Sequence, residues 1–311
     1  MIEKSCPFAG GFFYIEPEIK DMQYTLENER LTATVDTHGA ELHSVINQAT
    51  GREYIWQADP TVWARHAPVL FPIVGKLKGD QYQLDGQTYS MSQHGFARDQ
   101  EFALVQQQDQ TLTLRLTANE ETRAKYPFDF ALSITYELTG DQLQITYQVT
   151  NDSQREMPFS IGAHPAFYCP AQVDGRWEEY HLLFEQAETL DRHFLEGGLR
   201  TGQTKRLMEN TRQLPLHRAL FEHDAIVFEN VASEKVSIIA QSTGEPLVTV
   251  RFAGLPYLGI WQKVGADFYC IEPWYGLADS TDATGQLVDK EGIRMLSSRQ
   301  SFEATYSIIF H

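Results

Sequence analysis

Cysteine is scarce: Cys6, Cys169 and Cys270 are too few and too scattered for a disulfide framework. No CxxC or HExxH spacing offers a metal site, so reduced thiols and no metal or other cofactor are expected. A basic leader is missing too. The N-terminus reads Met-Ile-Glu-Lys-Ser-Cys-Pro-Phe, and no later run approaches the ~18 uninterrupted apolar residues of a membrane helix. These absences predict a cytoplasmic protein with no membrane partner. Positive charge is in deficit, with 25 Lys and Arg against 42 Asp and Glu and a formal charge of -17. Such a field repels a phosphate backbone, which argues against nucleic acid as a partner.

What is present is a folded composition, with 42% apolar residues and 12% aromatics. No linker, internal repeat or low-complexity stretch divides the chain, so residues 1–311 are expected to form one domain. Residues 1–21, rich in Phe, Tyr, Ile and Gly, form a possible N-terminal extension.

Apolar and polar residues alternate strictly in Ala131 to Leu138 and again in Leu143 to Val149, around Thr139-Gly-Asp-Gln142, which predicts a β-hairpin. The same period of two marks Leu31 to Val35, Thr111 to Leu116, Val236 to Ala240, Leu247 to Phe252 and Phe302 to Phe310. It also marks Tyr82 to Met91, where Asp85-Gly86 signals a tight turn. Helical stretches are confined to Asn119 to Lys125 and Leu216 to Phe221. With so few helices the sheets must bury one another, and the predicted fold is an all-β, large antiparallel β-sandwich. Residues 171–210 look more polar and irregular and are expected to form loops or an excursion over the sheet.

Ten histidines occur, and most, including His38, His181, His193, His217 and His311, lie in polar surroundings. His66, His94 and His164 have apolar or glycine neighbours. Each could be functional or could equally be a core histidine satisfied by a backbone carbonyl. His164 is singled out because Pro165 restricts it to extended backbone and so gives its side chain a defined direction. Glu272 also precedes a proline, and it lies between Tyr269 and Trp274. Rings beside a polar group suit a sugar, whose C–H face stacks while carboxylates and amides bind its hydroxyls. Tyr257-Leu-Gly-Ile-Trp-Gln-Lys263 supplies further groups of this kind. A lone imidazole and a lone carboxylate, each shielded by apolar neighbours, are what proton transfer to and from one substrate requires.

Four segments, in order, resemble the aldose 1-epimerase (galactose mutarotase-like) family, with its LacX-type subgroup nearest. They are Ala67-Pro-Val-Leu-Phe-Pro-Ile-Val-Gly75, Gln93-His-Gly-Phe-Ala-Arg-Asp99, Ser160-Ile-Gly-Ala-His-Pro-Ala-Phe167 and Cys270-Ile-Glu-Pro-Trp-Tyr-Gly276. The resemblance implies an antiparallel β-sandwich with a sugar across one concave sheet. It implies His164 as general acid, Glu272 as general base, and His94 and Asp224 as substrate-binding residues; Trp274, the ring beside Glu272, is expected to bind substrate as well. The implied activity is interconversion of the α and β anomers of an aldose by ring opening and closure.

Lys76 stands where galactose mutarotases usually carry arginine, and one glycine, not two, follows His94. Galactose is therefore not the default substrate. Lys76, Lys78 and Arg98 offer cations for a sugar phosphate, as in hexose-6-phosphate epimerases. The competing assignment leaves Lys78 solvated and pairs Arg98 with Asp99. The expected partner is thus a monosaccharide or sugar phosphate, bound by a monomer or homodimer. A noncatalytic sugar-binding protein, and a glycosidase using Asp224 as second acid, are the other functional classes the residues allow.

Overall fold

The computed structural model describes residues 22–173 and 176–311, so the leader 1–21 lies outside the described residues. One antiparallel sheet of 15 strands dominates. It runs from Val69–Leu70 through Ile161–Ala163, Phe268–Tyr275, Tyr257–Trp261, Ile226–Glu229 and Tyr180–Glu196. It continues through Lys235–Ala240, Pro246–Arg251, Ser301–Phe310, Gln142–Asn151, Phe130–Thr139 and Thr111–Thr117 to the edge strand Ala103–Gln108.

A second sheet, Gln23–Glu27, Leu31–Asp36 and Leu42–Asn47, supplies Leu26, Leu31, Val35 and Val45 to the same buried cluster as Leu114, Ile134, Ile145 and Ile308 of the large sheet. Each layer therefore removes the other's apolar face from water, as the alternation requires. Tyr136 fastens the layers by donating its hydroxyl to the Ala40 carbonyl at 2.7 Å.

The predicted hairpin forms as Phe130–Thr139 and Gln142–Asn151, with Thr139 opposite Gln142. Asp85 and Gly86 turn Gln81–Leu84 into Gln87–Ser90, both in the left-handed backbone region that such a turn needs. Asn119 caps a single-turn-and-a-half helix, Glu120–Lys125, by accepting from the Thr122 N–H at 2.9 Å. Leu216 to Phe221 contains only a short 3-10 turn, Arg218–Phe221.

One expectation is corrected. Residues 171–210 are not mainly loop, because most of them belong to the paired strands Tyr180–Glu196 and Leu199–Leu216. Register shifts after Leu183, Glu188, Leu190 and His193 break the period of two, so alternation never persists long enough to be read. Gly197 and Gly198, both at positive φ, make the turn of this hairpin.

Candidate active site

The site begins with a defect in the ladder beside the strand Phe268–Tyr275. Ile161 and Gly162 pair with Tyr275 and Trp274, and Ala166 and Phe167 resume the pairing with Cys270 and Tyr269. The register is the same on both sides of the gap, so His164 falls directly opposite Glu272. Pro165 and Pro273 lack the N–H groups that would close the ladder there. On its other flank Glu272 faces Gly259. A sheet that carries a long acid between a histidine and a glycine has room for that acid to turn sideways. It does so: His164 Nε2 and Glu272 Oε2 stand 3.1 Å apart.

Both groups are almost fully buried, with side-chain exposures of 10% and 1%. Trp63 stacks on the imidazole at 5.2 Å, while Trp261 and His94 meet it edge-on at 5.5 and 5.7 Å. Burial pushes His164 down to about 3, and the positive charges of Arg98 and Arg65 add to the shift. Burial, and then the Asp224 carboxylate, push Glu272 well above the usual carboxylate range. The ion pair gains attraction at this distance, but Glu272 Oε1 and His164 Nδ1 have no hydrogen-bond partner to compensate desolvation. Burial therefore favours neutral imidazole and neutral carboxylic acid, a pair holding one proton.

His94 is placed by its own backbone, in the left-handed region at φ 69°, a costly conformation for a residue with a side chain. Its N–H donates to the Gly75 carbonyl at 2.9 Å, and the Gly75 N–H donates to His94 Nδ1 at 3.1 Å. That contact assigns the proton to Nε2. Burial and then His164 hold His94 well below its ordinary pKa, so it is a neutral hydrogen-bond donor. Asp224 is likewise left-handed at φ 67°. Gly75 admits no side chain, because a Cβ would lie 2.5 Å from Ala278 Cα.

These groups line one cavity of about 340 Å³, within the range of small-molecule sites. His94, Arg98, His164, Asp224, Glu272 and Trp274 are all on its wall. Trp274 lies flat in a slot left by two glycines: a Cβ on Gly162 or Gly259 would come within 2.4 or 2.5 Å of its ring. Its indole N–H is already given to the Ala163 carbonyl at 3.1 Å, leaving the ring face as its contribution.

The three cations singled out in the sequence, Lys76, Lys78 and Arg98, do not gather at one point. Lys76 is off the wall, 3.9 Å from Asp80, and Lys78 donates to the Ala283 carbonyl at 3.4 Å. Arg98 donates to the Gln93 carbonyl at 2.8 Å, with Asp99 3.9 Å away.

Trp63 and Arg200, both on the wall, escaped the sequence reading, whereas Lys263 lies in the Tyr257 to Lys263 segment it singled out. Trp63 comes from an irregular loop, with only its isolation in Pro60-Thr-Val-Trp-Ala-Arg65 as a signal. Arg200 arrives from the tip of the long hairpin, where Leu195 and Gly198 also reach the cavity. It is held by Glu229 at 3.0 Å and Glu291 at 2.6 Å. Lys263 follows the Tyr257–Trp261 strand.

Among the described residues, two clusters have ligand atoms close enough for a metal ion: Glu41, His43 and His66, and His164, Cys270 and Glu272. Burial, reinforced by Glu272, raises the Cys270 thiol well above its ordinary pKa, so it is protonated and a poor ligand unless a cation displaces its proton. The site as built sets a buried imidazole against a buried carboxyl group in a cavity partly walled by aromatic rings.

Similarity to known proteins places the chain and its fold in a family. The aldose 1-epimerase family model matches residues 22–291. Protein LacX of Lactococcus lactis subsp. lactis, plasmid form, is 35% identical over 297 residues, covering 92% of this chain and 99% of that protein. A galactose mutarotase related enzyme from Lactobacillus acidophilus is 36% identical with a TM-score of 0.89, covering 93% of this chain and 97% of its own. A galactose mutarotase-like protein from Lactobacillus casei ATCC 334 is 35% identical with a TM-score of 0.87, covering 93% of this chain and 100% of its own. The chain belongs to the aldose 1-epimerase family.

Proposed function

We propose that the protein is a mutarotase, interconverting the α and β anomers of an aldose by proton transfer through His164 and Glu272. The observation that carries this reading is the 3.1 Å contact between the two side chains, buried at a cavity wall with one unpartnered polar atom on each. Unpartnered buried groups are costly, and sugar hydroxyls would satisfy them.

The pair's single proton is enough for the chemistry. In the reactive tautomer Glu272 is a carboxylate and His164 an imidazolium, reached by moving the proton across their hydrogen bond. Glu272 takes the proton of the anomeric hydroxyl while His164 gives its proton to the ring oxygen. The C1–O5 bond breaks, its electrons remain on O5, and O1 becomes the carbonyl oxygen. The enzyme is left as carboxylic acid and neutral imidazole, the tautomer that burial favours. Rotation about C1–C2 presents the other carbonyl face, and reversal of both transfers closes the opposite anomer. Neutral His94 donates from Nε2 to a hydroxyl, Asp224 accepts from another, and the rings of Trp63, Trp261 and Trp274 cover C–H faces.

A phosphorylated aldose is the second reading, favoured by Arg98, Arg200 and Lys263 on one cavity wall. NMR saturation transfer across glucose, galactose, their 6-phosphates and other aldoses tests both. Accelerated exchange for one sugar names the substrate, and a 6-phosphate preference selects the second reading. No acceleration by folded protein would leave a sugar-binding role.

A further inference from the structure

Behind the acid/base pair lies a side chain that proton transfer does not use. Cys270 stands two residues before Glu272 on Phe268–Tyr275, so both project from the same face of that strand. Its thiol is fully buried in a cluster against Trp56 and Phe268, packed by Trp63 and Trp261. His164, Cys270 and Glu272 each present one ligand atom, all within 4.8 Å of one another. Two ligands on a tetrahedral zinc, with bonds of about 2.0–2.3 Å, stand roughly 3.3–3.8 Å apart. The 3.1 Å between His164 and Glu272, and the 4.8 Å limit for the set, bracket that spacing.

The other cluster with suitable ligand types does not converge in this way. His43 and His66 stack face to face at 4.0 Å with an interplanar angle of 19°, so their in-plane lone pairs run alongside each other. Glu41 Oε1 there is already taken by the N–H groups of His66 and Ala67, at 2.6 and 2.8 Å.

We propose that His164, Cys270 and Glu272 bind a thiophilic divalent cation of the zinc class, and that occupancy shuts off the acid/base pair by taking both its members as ligands. The second half rests on the mutarotase reading; the first does not. Nitrogen, sulfur and oxygen donors in one closed set suit zinc or cadmium better than magnesium or calcium. The cation enters through the cavity, and its fourth position, facing that cavity, is left for water. Two protons depart on binding, one from the thiol and one from the His164–Glu272 pair, and no oxidation state changes. Burial alone keeps the thiol protonated, but a coordinating cation reverses that preference outright.

Cadmium chloride is the probe, because a thiolate bound to cadmium gives a charge-transfer absorption in the ultraviolet. Titration of the whole protein should develop this band with one equivalent, and Cys270→Ser or Cys270→Ala should abolish it. Glu272→Gln should weaken binding at least ~10-fold. In parallel, anomer exchange by wild type should fall as the band grows, while the Cys270 variants remain active and resist cadmium. A band that persists in both Cys270 variants would overturn the site. A Cys270-dependent band with unimpaired exchange would overturn the shut-off. A Cys270-dependent band in a protein that accelerates no sugar would support the site and remove the mutarotase reading instead.

Discussion

Glu272→Gln changes one atom type in a side chain that is 1% exposed, so it tests the proposed base with little change of volume. Gln can still donate an amide N–H to His164 Nε2 across the present 3.1 Å contact, as the carboxylic acid does, and the slot beside Gly259 holds either side chain. What it cannot do is take a proton. Removing a positioned acid or base costs about 100- to 10,000-fold. The middle of that range is expected here, because the nearest substitute, Asp224, has Oδ1 occupied by the Ala225 N–H at 2.8 Å. A loss of roughly 1,000-fold corresponds to about 4 kcal/mol of barrier. Saturation-transfer exchange rates, measured at saturating sugar with binding followed separately, report the two effects independently. The expected outcome is a large fall in exchange with affinity within a few fold of wild type. Exchange within about fivefold of wild type, from a folded variant, would refute Glu272 as the base.

His164→Asn should cost at least ~100-fold for the complementary reason, loss of the acid, read in the same assay. The pH profile follows from proton count. His164 titrates at about 3, so below that value the pair holds two protons and Glu272 cannot act as base. Above the raised pKa of Glu272 it holds none, and His164 cannot act as acid. Exchange should therefore persist on the acid side down to about 3 and fall on the alkaline side only above the ordinary carboxylate range, and an acid limb at about 6.5 would refute this order of titration. Gly259→Ala puts a Cβ 2.5 Å from the Trp274 ring and 3.2 Å from Glu272 Cβ, so an overpacking cost of ~1–3 kcal/mol and at least ~10-fold slower exchange are expected. Wild-type values for both in Gly259→Ala would show that the slot is not tight. Lys290→Met removes the cation that meets the buried Asp279 carboxylate at 3.1 Å and leaves it the Lys78 N–H at 3.0 Å, so it should cost ~3 kcal/mol in urea unfolding, the lower end for a broken buried pair. A loss under ~1 kcal/mol would mean that the Lys78 N–H and water suffice for Asp279.

The strands were legible wherever one face of a sheet meets water, since alternation in Phe130–Thr139 and Gln142–Asn151 records a buried and an exposed side directly. The strand Phe268–Tyr275 shows no such record, because almost every residue in it is buried on both faces. Bulges hid the Tyr180–Glu196 and Leu199–Leu216 pair by shifting the phase of the alternation several times.

The site divides the same way. His164 and Glu272 could be singled out because each precedes a proline amid apolar neighbours, and those two prolines mark the one place where the ladder beside Phe268–Tyr275 opens. That is a local cause with a local signature. Trp63 and Arg200 have none, since their presence on the wall depends on a loop and a hairpin tip returning across the sheet from distant sequence. Lys76 shows the converse: its sequence position beside Gly75 suggests the cavity, yet its side chain turns toward Asp80 and packs where Gly198 leaves space, 3.1 Å from the position a Cβ would take. The hairpin tip thus excludes one cation from the wall while bringing another, Arg200, onto it. Which part of the cavity wall carries positive charge is therefore decided by a pairing whose register no local pattern reveals, whereas the proposed proton-transfer pair is positioned by two prolines that anyone can read.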